Sequence, residues 1–162
     1  MNKPTLYIMC GVPGSGKSFY ARRHMIKDDN IVYVSRDVIR YELLDREDEY
    51  FSKENLVYKR FIDEIVLNLS YGMDVIADAT HLNWASRHKL LAAIGDAFEY
   101  NVIPVVVSVD LGIAFERNNR RTGLEQVPKS VIRRMSYQFT DPATDPYEYT
   151  TIKYVYNKEE KK

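Results

Sequence analysis

Apolar residues along the chain fall into two rhythms. Four short runs are apolar at nearly every position: TLYIMC from Thr5, NIVYVS from Asn30, MDVIADA from Met73 and VIPVVVSVD from Val102. Strands read this way when both faces of a parallel sheet are covered. The segments between them carry apolar residues at helical spacing. In KENLVYKRFIDEIVLNLSYG, Leu56, Phe61, Ile65 and Leu69 recur at steps of four or five, and Gly72 stands where a helix C-cap is expected. In NWASRHKLLAAIGDAF the predicted apolar face is Leu90, Leu91, Ile94 and Phe98. IAFERNNRR and PKSVIRRMSYQF predict two short helices joined by TGLEQV, with Pro128 opening the second. DPATDP, from Asp141, has the composition of a turn. The last run, TTIKYVYN, alternates like a half-buried strand and is expected at a sheet edge or as a hairpin arm.

Strands alternating with helices predict an α/β architecture whose ligands bind at the carboxyl edge of the sheet. The length of 162 residues, with 45% hydrophobic, fits one domain, 1–162. No fixed-period repeat and no linker divides it, and the tail NKEEKK is expected to fray. Charge adds an exclusion: 23 basic against 23 acidic residues leave no global positive field, so a polyanion would have to be held by local clusters. The single cysteine, Cys10, lies in an apolar run and is read as a small buried hydrophobe. The N-terminus is too short in apolar residues for a signal peptide and no later run reaches a membrane span, so the expected location is cytoplasmic, with no membrane partner.

Between the first strand and the first helix stands GVPGSGKS, comprising Gly11, Val12, Pro13, Gly14, Ser15, Gly16, Lys17 and Ser18. It fits G-x-x-x-x-G-K-[ST] in the strand-to-helix context that pattern requires. Its glycines let backbone N–H groups curl around an anion, Lys17 is expected to reach the outer phosphates, and the Ser18 hydroxyl is expected on Mg²⁺. A glycine-rich turn alone explains the glycines but not the lysine and serine. The pattern therefore predicts ATP or GTP binding. The string Asn157-Lys158-Glu159-Glu160 lacks the aspartate of an N-K-x-D guanine reader, and no residues remain for the second helical domain of a ring-forming motor.

Three further stretches reach the same edge. SRDVIR, Ser35 to Arg40, puts Asp37 and Arg40 on one helix face, where the acid can accept a proton from an attacking hydroxyl and the guanidinium can grip a phosphate or carboxylate. Ser35 as an N-cap and Asp37 as a first-turn acid would serve that helix for structural reasons alone. VIADATHLN brings Asp78 and Thr80 to the edge, Asp78 either supporting Mg²⁺ or capping the next turn. His81 and His88 have no zinc-spaced partners and are read as surface or capping residues. ERNNRRTGLEQVP places Arg117, Arg120 and Arg121 in a basic loop able to fold over a nucleotide, with Arg133 and Arg134 beyond it; cations at a helix C-terminus account for at least one of the three.

GVPGSGKS, SRDVIR, DEYFSKE, DATHLN with Arg87 after it, and RNNRRTGLEQVP together resemble, in order from Thr5 to about Gln138, the 5′-hydroxyl polynucleotide kinase of bacteriophages. The resemblance implies a three-layer α/β/α P-loop kinase fold with a central, mainly parallel sheet of four to five strands and an arginine-bearing helical lid over about 112–140. It implies transfer of the γ-phosphate of ATP, with Mg²⁺, to the 5′-OH end of DNA or RNA. By position, Lys17 and Ser18 are the cradle residues and Asp37 the general base. Arg40 binds the phosphate 3′ to the acceptor nucleoside, Thr80 contacts the acceptor, and Arg87 joins the acceptor side. Arg121 matches the catalytic lid arginine, with Arg120 beside it and Arg117 on the nucleotide. The phage form has an aspartate where this chain has Ala79, so Asp78 is the candidate metal-supporting acid. No D-x-D-x-T phosphatase motif occurs in these residues, so a kinase module without 3′-phosphatase activity is expected.

Two other readings stay open on the residues: a P-loop kinase acting on a small-molecule hydroxyl, which zero net charge favours, and a nucleotide-binding module that transfers to nothing. DNA against RNA, and ATP against GTP, are not decided by any motif.

Overall fold

The computed structural model describes residues 2–157. The frayed tail expected at 158–162 lies outside the described residues. Five strands form one sheet in the order β2-β3-β1-β4-β5, with every pair parallel. They are β1 (Thr5–Cys10), β2 (Ile31–Ser35), β3 (Asp74–Asp78), β4 (Asn101–Ser108) and β5 (Lys153–Tyr156). The helices are α1 (Lys17–Tyr20), which runs on as a π-helical segment over Ala21–Met25, then α2 (Arg36–Leu43), α3 (Glu54–Ser70), α4 (Trp84–Ile94), α5 (Leu111–Asn119) and α6 (Lys129–Gln138). The result is a three-layer α/β/α domain of P-loop kinase type.

The continuous apolar runs follow from burial on both faces. Leu6, Ile8 and Cys10 of β1 join one core with Val57, Phe61, Ile65 and Leu69 of α3 and Leu90 and Ile94 of α4. Met9, between them in sequence, points the other way, against Ala21, Met25, Val105 and Val107. Period-two alternation thus feeds two cores, one per face. Burying Phe61 completely contributes roughly 1.5–3 kcal/mol. Leu56 belongs to neither core. It is 58% exposed, and Val57 and Ile62 take the inward positions of α3 instead.

Helix ends come from local chemistry. α3 stops in a Schellman arrangement: Gly72 at φ +80° donates from N–H to Leu69 O, and Met73 N–H donates to Asn68 O. α4 begins with a capping box in which Asn83 Oδ1 accepts from Ser86 N–H and Ser86 Oγ accepts from Asn83 N–H. It ends at Ile94, so Phe98 packs on the core from the loop beyond rather than from the helix face. Pro128 is the N-cap residue of α6.

TTIKYVYN supplies the edge strand β5, and its partner β4 runs parallel to it, so the hairpin alternative does not occur. Only Val155 of β5 is partly buried against the core. β1 lies centrally, and the chain winds first to its β3 side and then to its β4 side. The loop after β1 therefore opens where the winding reverses, at the carboxyl edge of the sheet.

Candidate active site

The loop Gly11–Gly16 leaves β1 at that edge and turns into α1. Gly14 and Gly16 sit at φ +83° and +89°, a left-handed backbone that disfavours any side chain. A Cβ on Gly14 would lie 2.5 Å from Ala114 O of α5, and one on Gly16 would lie 1.9 Å from Asn157 Nδ2. The loop is thus packed between the start of the lid and the residue after β5. Gly11 N–H donates to Thr80 O at 2.9 Å, tying the loop to the end of β3. Val12 N–H and Pro13 lie within the same turn, and Val12 O accepts from Ser15 N–H. Lys17 is buried to 8% exposure, with no ion-pair partner among the described residues. A lysine so largely enclosed, with its ammonium unpaired beside a glycine-shaped hollow, suits an anionic ligand.

Beside it, Ser18 Oγ donates to Asp78 Oδ2 at 2.6 Å, and the Tyr33 hydroxyl of β2 donates to the same oxygen. Asp78 is 3% exposed, and its other oxygen, Oδ1, is buried without a partner, as is Ser15 Oγ. Capping of the next turn, the competing reading of Asp78, is not what the side chain does. A hard cation bound through serine hydroxyl, carboxylate and nucleotide phosphates fits this donor set. No cluster of three metal-ligating side chains exists among the described residues, so the nucleotide would complete the shell.

SRDVIR ends β2 and opens α2 at the carboxyl edge of the sheet. Ser35 caps α2, accepting from Val38 N–H at 3.2 Å, while Arg40 Nη1 donates to Asp37 Oδ1 at 2.6 Å. Arg40 is 4% exposed, whereas the Asp37 side chain is 55% exposed. Arg40 Nε and Nη2 donate to both oxygens of Glu54, and Nη1 also donates to the Tyr50 hydroxyl at 2.9 Å. The Tyr50 ring stacks over the guanidinium at 4.5 Å, and its hydroxyl donates in turn to Asp37 Oδ1 at 3.2 Å. Burial pulls the Arg40 guanidinium down, but Tyr50, Glu54 and Asp37 outweigh it and hold the group above its ordinary value. Burial and the Asp37 carboxylate push the Tyr50 phenol up, keeping it a donor. The arginine expected to grip an acceptor phosphate therefore already has all three nitrogens engaged within the protein, Nη1 being the one not committed to Glu54.

The segment expected to form the lid comprises α5, a short 3-10 turn at Gly123–Glu125, and α6. Asn118, buried at its base, closes the connection by exchanging hydrogen bonds with the Val127 backbone. Arg117 Nη1 reaches over the cradle to Gly14 O and Ser15 O at 3.4 and 3.3 Å. Arg120 is the exposed C-cap of α5. Arg121 is half-buried and faces α2: burial and the Asp37 and Glu125 carboxylates push the Tyr41 phenol up to about 12, opposed by Arg121 and Arg40. Arg133 stacks on Phe115 within the lid.

Two expectations are corrected. Arg87 is completely buried: Nε and Nη2 pair with Asp145, Nη2 also reaches Thr140, and Nη1 donates to His81 O, so the side chain presents nothing to an acceptor at the surface. Its charge is needed where Asp145 enters the core. His81 is not a surface residue but lies at 6% exposure with φ +41°, its Nδ1 2.9 Å from Met9 O. Burial holds its pKa down to about 4, with the Met9 carbonyl opposing and Arg36, Lys17 and Arg87 adding to the fall. His88 is exposed beside Trp84, and Thr80 is half-buried at the edge.

Three residues escaped sequence reading. Tyr33, Tyr50 and Asn157, whose Nδ2 donates to Ser15 O at 3.0 Å, each touch the site through a side chain brought from a separate element. Only the DEY string before Phe51 hinted at Tyr50.

Fold and cradle together define a P-loop domain of kinase type that binds nucleotide. Residues 6–142 match the AAA domain family, and the chain belongs to it. Among solved structures, a chain of the Pnkp1/Rnl/Hen1 RNA repair complex is 26% identical, with a TM-score of 0.72 over 85% of this chain and 44% of that one. The chain thus spans less than half the length of that relative. A sugar kinase from Janibacter superposes with a TM-score of 0.64 at 15% identity, covering 96% of this chain and 86% of that one. A fungal RNA kinase gives 0.63 at 11% identity, covering 95% and 38%. The likeness to these neighbours is one of fold. No helix among the described residues is long and apolar enough to cross a membrane.

Proposed function

We propose that the protein is an ATP-dependent polynucleotide 5′-hydroxyl kinase. The observation that carries this reading is the Asp37–Arg40 pair, held by Glu54 and Tyr50 on the helix that follows β2 at the sheet's carboxyl edge. The RNA repair relative, whose complex carries that description, supports it.

In this reading Lys17 and the loop amides hold the β- and γ-phosphates, and Arg117 closes over the donor side. Mg²⁺, held by Ser18 with Asp78 in support, would neutralise charge on the donor phosphates. The 5′-hydroxyl oxygen attacks the γ-phosphorus as the bond to the β–γ bridging oxygen breaks, and the hydroxyl proton passes to Asp37. Phosphoryl transfer needs the nucleophile held in line more than deprotonated early, so Asp37 acts chiefly by orientation. Arg121, near Asp37 through Tyr41, would stabilise the transferred oxygens, a contribution of several kcal/mol in comparable sites, about 10³-fold or more in rate. Arg40 holds Asp37 and offers Nη1 to the phosphate beside the acceptor nucleoside, with Thr80 at the same mouth.

The test is phosphate transfer from labelled ATP to 5′-OH oligonucleotides, with DNA and RNA acceptors in parallel. Labelled oligonucleotide is expected. Intact ATP binding with no transfer would overturn the acceptor assignment. In that event the second reading, a small-molecule hydroxyl acceptor, gains weight from the fold shared with the sugar kinase and from the zero net charge.

A further inference from the structure

Asp78 receives two hydroxyls on one oxygen and nothing on the other. Ser18 and Tyr33 both donate to Oδ2, while Oδ1 is buried and unpartnered. Ser18 belongs to the phosphate cradle; Tyr33 lies in the middle of β2. Strand register explains how it reaches the site. Asp78 pairs with Ser35, and Tyr33 pairs with Ile76, so Tyr33 is the diagonal neighbour of Asp78 on the same sheet face. Such neighbours stand ~7–8 Å apart, a gap an aromatic side chain spans and a shorter polar one does not.

We propose that Tyr33 is a positioning residue for the nucleotide-bound divalent cation: its phenol pins Asp78 Oδ2, so that Oδ1 is the oxygen kept for the metal's hydration shell. This rests on reading Ser18 and Asp78 as the metal-supporting pair. A carboxylate has two equivalent oxygens and a soft terminal torsion, so a single donor on Ser18, whose oxygen must also serve the cation, leaves it free to turn. The second hydroxyl, fixed on a central sheet rather than on the cradle, removes that freedom. Outer-shell partners of this kind typically change metal affinity by about 10–100-fold when removed.

The experiment is binding of a fluorescent ADP analogue, titrated with Mg²⁺, in the wild type and in Tyr33→Phe, which keeps the ring and loses only the hydroxyl. The Mg²⁺ midpoint is expected to rise about tenfold, while metal-free nucleotide affinity stays within about twofold. In an Asp78→Asn background the same change is expected to add no further shift, because Tyr33 acts through Asp78. An unchanged midpoint in Tyr33→Phe, with a Mg²⁺-dependent wild type, overturns this inference alone. Equal losses of metal-free and metal-dependent binding also overturn it, since they mark a merely structural tyrosine. A wild type without Mg²⁺ dependence overturns the metal-pair reading and this inference with it.

Discussion

Arg40 and Glu54 lie side by side, with Nε and Nη2 of the arginine donating to both carboxylate oxygens at 2.8–3.1 Å. The carboxylate at the start of α3 is therefore what fixes the guanidinium of α2, and through it Asp37. Arg36 pairs with the same carboxylate, so one acid serves two cations. Glu54→Ala is expected to lower phosphate transfer about 10²-fold by misplacing Asp37, leaving nucleotide affinity within about twofold. Steady-state kinetics beside nucleotide titration checks this, and equal losses in both would contradict it.

Asp37 is the exposed member of that group, and its removal should spare the fold. Asp37→Asn is expected to cost about 10²–10⁴-fold in kcat, with unchanged melting temperature and nucleotide affinity. A nucleotide-binding module that transfers to nothing would show no functional loss in this variant.

Gly14 faces a backbone oxygen rather than a mobile side chain, so it has no room to adapt. Gly14→Ala is expected to destabilise the protein by ~1–3 kcal/mol from strain at φ +83° alone, and to weaken nucleotide binding as α5 is pushed away. Chemical denaturation and nucleotide titration measure the two effects separately.

Arg87 and Asp145 form an ion pair with both side chains at 1% exposure or less. Removing one charge leaves the other buried and unpaired. Arg87→Ala is expected to cost ~3–5 kcal/mol of stability, and the double change Arg87→Met with Asp145→Leu much less. Denaturant midpoints of the three proteins decide it; a small loss in the single variant would contradict the burial argument.

His81 makes stability depend on pH. The unfolded side chain titrates near ~6.5 and the folded one near about 4, so between those values the unfolded state binds the extra proton. Stability is then complete above ~6.5 and falls as pH drops towards 4, by an order of 3 kcal/mol in all. His81→Asn, which tolerates the positive φ, is expected to flatten that acid limb in denaturation curves recorded from pH 7 to 4.

Much of the site was legible because its chemistry is local. GVPGSGKS needs only a strand before it and a helix after it, and Asp37 and Arg40 need only the helix that puts residues three apart together. Asp78 was legible as an acid at a strand end, though not its partners. His81 and Arg87 were misread because spacing along a chain does not report depth. The first is buried by the turn after β3, and the second by Asp145, 58 positions away.

The sequence by itself determined the parallel strands, the cradle and the acid–arginine pair, since each depends on periodicity or on contacts within one or two turns. Tertiary structure alone decided that β5 runs parallel at the edge and that Arg121 is half-buried while Arg120 is exposed. It also decided that Tyr33, Tyr50 and Asn157 complete the site. Those outcomes depend on strand register and on side chains crossing between elements distant in the chain, where geometry in space, not order along the backbone, sets which groups meet.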